Sequence, residues 1–353
     1  MKVPELYSFN KWMQKFGKAA LAEYQTLASV LRHNSTQPQK QVVEEPLAQL
    51  LKSLKSMPME MLTNEQLGLL QYFEIARLVG TAGEEHVRQT VIKSDYDPAT
   101  AAEEIQKNTQ TLSNAINKMN QIGSALDNLS FLSELDFEEA GRATIRIQFK
   151  EEASISDVVE WKKWSAEWHD IIRGVALCVD ESPENTKVVG ADNGSLIMIL
   201  SGTVGFVAAL ALITKHLSSI VKEGLVIANA IEDLRHKKIL NKAIENSLKD
   251  QQTKITKEGV KTIVNETKKA LPNNLNGEQE TALTKAVEKF LKFNELGGDV
   301  DFISPEEPEI EDDEAEQLAS AKQILEIRET IEQIRSMRAE IKLLTDDSIE
   351  KSS

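Results

Sequence analysis

The sequence predicts an α+β fold that is predominantly α-helical. It comprises an N-terminal helical bundle, a small antiparallel three-stranded sheet with long helices, and a C-terminal helix. Three observations predict this. Only nine Pro and sixteen Gly interrupt 353 residues rich in good helix formers such as Ala, Leu, Glu, Lys and Gln. Apolar residues recur at helical spacing through most of the chain. Strict alternation and a strong hairpin turn signal occur only between residues 143 and 200. The expected organisation is an all-helical domain over 1–140, a β-α-β-β-α module with extended helices over 141–300, an acidic linker over 301–316 and an amphipathic helix over 317–353.

Residues 5–32 read as one amphipathic helix, with Leu6, Phe9, Met13, Phe16, Ala20, Leu27 and Leu31 near helical spacing. The polar stretch 33–46 is a loop, and 47–57 is a short helix stopped at Pro58. Thr63 and Gln66 have capping-box spacing and open a helix expected to reach Val79, where Gly80 and Gly83 break it. A short helix follows over 84–93. Asp97-Pro98 opens another, because Asp caps free N–H groups and Pro fits the first helical position. Its stripe is Ile105, Leu112, Ile116, Met119, Ile122 and Leu126. These stripes must bury against one another, which implies a bundle or helical hairpins.

At residue 143 the period changes. Ile145, Ile147 and Phe149 alternate with Thr144, Arg146, Gln148 and Lys150, which predicts a strand with one dry and one wet face. Arg146 and Lys150 suit an edge position. A helix over 156–179 follows, then a hairpin over 186–200 turning at Asn193-Gly194. Residues 193–214 form the most apolar stretch, 22 residues without a charge. That length suffices for a bilayer span. Ser201, Gly202 and Thr203 punctuate it, however, and Thr203 is suited to N-cap a helix. Only about 11 residues, or roughly 16 Å of helix, then precede Lys215. A strand followed by a buried helix is the preferred reading; membrane insertion of 195–214 is the alternative.

Beyond Lys215, Leu217, Val221, Gly224, Ala228 and Ile231 mark the stripe of an amphipathic helix that persists to about residue 249. A polar helical continuation ends at Leu271-Pro272. Asn276 caps a helix through Leu296, closed by Gly297-Gly298. Residues 304–316 have the composition of a disordered linker. In the last helix, Ile324, Ile327, Ile331, Ile334 and Ile341 form an a/d seam with Arg338 at the remaining a position. Docking on the protein's own helices and oligomerisation are equal alternatives for this seam.

Charge is unevenly placed. Residues 299–353 carry a net −11 and residues 215–269 a net +5, within a chain of net −15. The acidic tail is a solvated linker or a cover for the basic face. The lone Cys178 excludes an internal disulfide, and the N-terminal residues lack a signal-peptide pattern, so a cytoplasmic protein is expected. Asn34, Asn128 and Asn265 head sequons that fit chance in that setting. Scattered histidines and the absence of HExxH or paired cysteines argue against zinc. The glycine-containing stretch 190–194 precedes a strand, unlike a phosphate loop. No cofactor, metal or catalytic residue is expected. Trp161, Trp164 and Trp168 form a core stripe with Ile171, Ile172 and Val175, or else a stacking platform. His169-Asp170 is a poor acid–base pair, since helix neighbours diverge. The basic run is too thin and too poor in aromatics for nucleic acid. The candidate contact residues are the Ile seam, together with Arg235, Lys237, Lys238 and Lys242 on the basic helix.

The run 143–235, with its strand Gly194-Ser195-Leu196-Ile197-Met198-Ile199-Leu200, resembles a module of uncharacterised bacterial proteins, some linked to phage defence. There a strand, a helix and a hairpin lead into a long apolar-then-charged helix. The resemblance covers about a quarter of the chain. The proline often found after the module's strand is replaced here by Thr203-Val204-Gly205. The expected work is non-enzymatic: binding a protein partner, or self-association, in such a system. The alternative is a membrane-inserting effector or helical pore-former that uses 195–214.

Overall fold

A computed structural model describes residues 3–93, 97–126, 142–192, 196–237, 242–271, 275–307 and 315–352. The chain divides into two compact units, Met1–Phe137 and Glu138–Ser353. The architecture is α+β and predominantly helical, with one four-stranded antiparallel sheet among the described residues.

The first unit is all-helical: α1 (Val3–Trp12), α2 (Lys18–Thr36), α3 (Glu44–Lys55), α4 (Asn64–Tyr72), α5 (Gly80–Arg88) and α6 (Pro98–Leu126). The expected single helix over 5–32 exists, but a π turn at Met13–Gly17 joins α1 to α2. Phe9, Met13, Ala20, Tyr24, Leu27 and Leu31 are all buried, in one core with Ile105, Leu112, Ile116 and Met119 of α6. The buried Tyr24 hydroxyl donates to the Leu78 carbonyl at 3.1 Å, and burial holds its pKa well above the usual phenol range. Thr63 and Gln66 form the expected capping box, and Asp97 accepts from the N–H groups of Ala99 and Thr100.

Two expectations here are corrected. The helix opened by Thr63 ends at Tyr72, not Val79, because Glu74 takes a left-handed φ of 60° and the Ile75 N–H bonds back to the Leu70 carbonyl. This is a Schellman stop with Glu where sequence reasoning looks for Gly. Gly80, read as a breaker, instead begins α5, and Gly83 lies inside it. A Cβ on Gly83 would lie 2.6 Å from the Leu78 carbonyl carbon, so that glycine serves a close backbone approach.

The second unit contains β1 (Arg142–Gln148), α7 (Val158–Cys178), β2 (Lys187–Asp192), β3 (Ile197–Thr203), α8 (Val204–His236), α9 (Lys242–Ala270), α10 (Gly277–Glu295), β4 (Asp299–Ile303) and α11 (Ala315–Ser352). The sheet order is β2-β3-β1-β4, so the sheet has four strands where three were expected. The extra strand takes the start of the expected 301–316 linker. Val300 and Phe302 alternate with Asp299 and Asp301, and the acids disguised the alternation as tail. β1 is central, not an edge, and both its faces are covered: Arg146 is buried, directly opposite Asp301 of β4. Of the expected linker, 308–314 lies outside the described residues, as does the Asn193-Gly194 turn.

One face of the sheet, with Ala143, Ile145, Ile147, Leu200, Val300 and Phe302, joins the core shared by α7, α8 and α10. Asp157 caps α7 through the N–H groups of Val159 and Glu160, and Asn276 caps α10 in a full capping box. Trp164 and Trp168 pack edge-on against Phe293, each with ring centroids at 5.1 Å. These two tryptophans are core, while Trp161 stays 42% exposed. Each large side chain buried this way stabilises the fold by about 1.5–3 kcal/mol. Gly174 brings α7 onto α10, since a Cβ there would lie 2.6 Å from the Ala282 carbonyl oxygen.

Candidate interaction site: a three-helix arm

Thr203 ends β3 and N-caps α8, accepting from the Phe206 N–H at 3.3 Å while its hydroxyl donates to Glu181 at 2.6 Å. Residues 196–200 therefore belong to the sheet or its lead-in, and the helix starts at Val204. α8 is 33 residues long, or about 50 Å at 1.5 Å per residue. Its first 14 residues run through the core. The core then stops: on α8 it reaches Ile220, and on α9 it reaches Val260. The rest of α8 extends as an arm.

α8 does not persist to residue 249 as expected; it ends at His236, and α9 returns beside it. Three rungs fix the antiparallel register. His216 lies near Glu266, Ile220 meets Gly259, and Arg235 pairs with Glu245 at 3.6 Å. A Cβ on Gly259 would fall 2.4 Å from Ile220 Cδ1, so this glycine sets the close spacing of the hairpin. Burial, with help from Lys215, lowers the His216 pKa, and Glu266 opposes it.

α11 lies along α8 in the same direction. Lys222 pairs with Glu340, and Asn229 Nδ2 donates to the Leu344 carbonyl at 2.9 Å, so contacts advance together on both helices. Ile324, Ile327, Ile331 and Ile334 are buried in this unit's own core, and Ile341 is half-buried. The structure thus docks the seam intramolecularly and removes its buried part as a free contact surface. Arg338 occupies no dimer core. It pairs with Asp299 at 2.6 Å and donates to the Val300 carbonyl. Arg335 donates to the Phe302 carbonyl at 3.3 Å and pairs with Asp301 at 3.6 Å, and Arg328 bonds Ser304 and Pro305. The arginines of α11 therefore cap the outward carbonyls of edge strand β4, covering an edge that would otherwise invite pairing. Burial pushes the Asp301 carboxyl up, against the pull of Arg335 and Arg338.

The basic candidates sit at the arm's tip. Arg235 is engaged by Glu232 and Glu245, Lys237 and Lys242 are exposed, and Lys238 lies outside the described residues. Further lysines pair with nearby acids: Lys249 with Glu245, Lys254 with Glu258 and Lys269 with Glu266. The arm is a mixed-charge surface, not a basic footprint.

The features with potential chemistry lie elsewhere and are occupied. Asp170 sits 3.4 Å from His169 but is held by Lys289 at 2.6 Å, which keeps its carboxyl below the usual range. Cys178 is buried, and burial pushes its thiol up to about 12. Among the described residues no group of three or more His, Cys, Asp or Glu is arranged to hold a metal ion.

Sequence reasoning named the stripe Val221, Gly224 and Ala228 but gave it no role. These residues are half-buried and lie beyond the core. Val226 is 48% exposed and Leu343 of α11 is 66% exposed. α8 is also the one helix among the described residues long and apolar enough to cross a bilayer, with a window of mean hydropathy 1.7 that is half-buried. Comparison with family models, with curated proteins and with solved structures gives no match.

Proposed function

We propose that this chain is a non-enzymatic protein–protein interaction or assembly protein, and that the α8–α9–α11 arm is its contact surface. The observation that carries the reading is the apolar stripe Val221, Gly224 and Ala228, left half-buried past the end of the core. Apolar surface that the fold covers only in part, rimmed by charge, is what a partner covers. The resemblance of 143–235 to modules of bacterial proteins, some tied to phage defence, supports placing this work in such a system. The test is a photo-crosslinking side chain at 221 or 228, activated in producing cells. A discrete protein adduct from these positions is expected. No adduct from either position, with the protein folded and abundant, overturns the reading.

A second reading is favoured by one observation. The apolar window of α8 is long enough to span a bilayer. Insertion would require α8 to leave the core, exposing Phe206, Val207, Leu210 and Ile213, all buried now. Sedimentation with liposomes at high salt separates the readings: retention in the supernatant removes insertion, and stable pelleting supports it.

A further inference from the structure

We draw no further inference here: the strongest candidate, the exposed apolar patch of Val158, Val159 and Trp161 at the start of α7, carries nothing, because the charges beside it are of both signs and nothing in the structure shows what covers it.

Discussion

The two ends of α8 are made of similar residues and do different work. In its first half Phe206, Val207, Leu210, Ala211 and Ile213 are buried at 1% exposure or less. In its second half Ile231 is the one buried residue among those described, and Val226 is 48% exposed. The first half is enclosed by the sheet and the helices of the core, while the second is flanked by α9 and α11. The contrast teaches that hydrophobicity alone does not decide whether a residue stabilises a fold. Enclosure does, because the free energy follows apolar area removed from water. Apolar residues outside that enclosure are available for something else.

The comparison breaks first at the enclosed end. Phe206→Ala should cost about 3–5 kcal/mol, read as a lowered denaturant midpoint with unchanged slope. A loss below about 1 kcal/mol would mean that the base of α8 is no better packed than the arm. Two glycines sharpen the contrast next. Gly174→Ala drives a Cβ into the Ala282 carbonyl, so α7 and α10 must separate, at about 1–3 kcal/mol. Gly259→Ala meets Cδ1 and Cγ1 of Ile220, a side chain that can shift where a backbone carbonyl cannot, and the better helix propensity of Ala offsets part of the crowding, so the loss stays within about 1 kcal/mol. Equal losses at both sites would erase the distinction between core and arm. Hydrogen exchange gives a smaller but finer measure. Amides of 207–217 should exchange only with global unfolding, and those of 225–236 through local opening at lower free energy. Uniform protection along α8 would contradict this. The smallest effect is expected at Val226→Ser, within about 0.5 kcal/mol by thermal melting.

Much of the fold was legible because local rules act on neighbours in sequence. The capping box at Thr63, the caps at Asp97, Thr203 and Asn276, and the alternation of β1 all sit where short-range chemistry places them. The failures share a different cause. Glu74 stops α4 in a conformation that Glu does not advertise, held by a hydrogen bond from Ile75 to Leu70. β4 hid among acids, because Asp301 faces Arg146 and Arg335, residues far away in sequence. The candidate site was half legible. The stripe on α8 could be written down from its spacing, but whether its residues were core or surface could not.

The sequence by itself determined that Thr203 caps the start of α8 and that this helix carries one uncharged face from Leu217 to Ile231. Propensity, capping and periodicity depend only on residues a few positions apart. Only the tertiary structure decided that the isoleucine seam of α11 is spent on its own unit, that Arg335 and Arg338 close the edge of β4, and that the stripe at Val221, Gly224 and Ala228 lies past the end of the core. Those outcomes depend on which segments meet across tens to more than a hundred residues, and no local pattern encodes where enclosure stops.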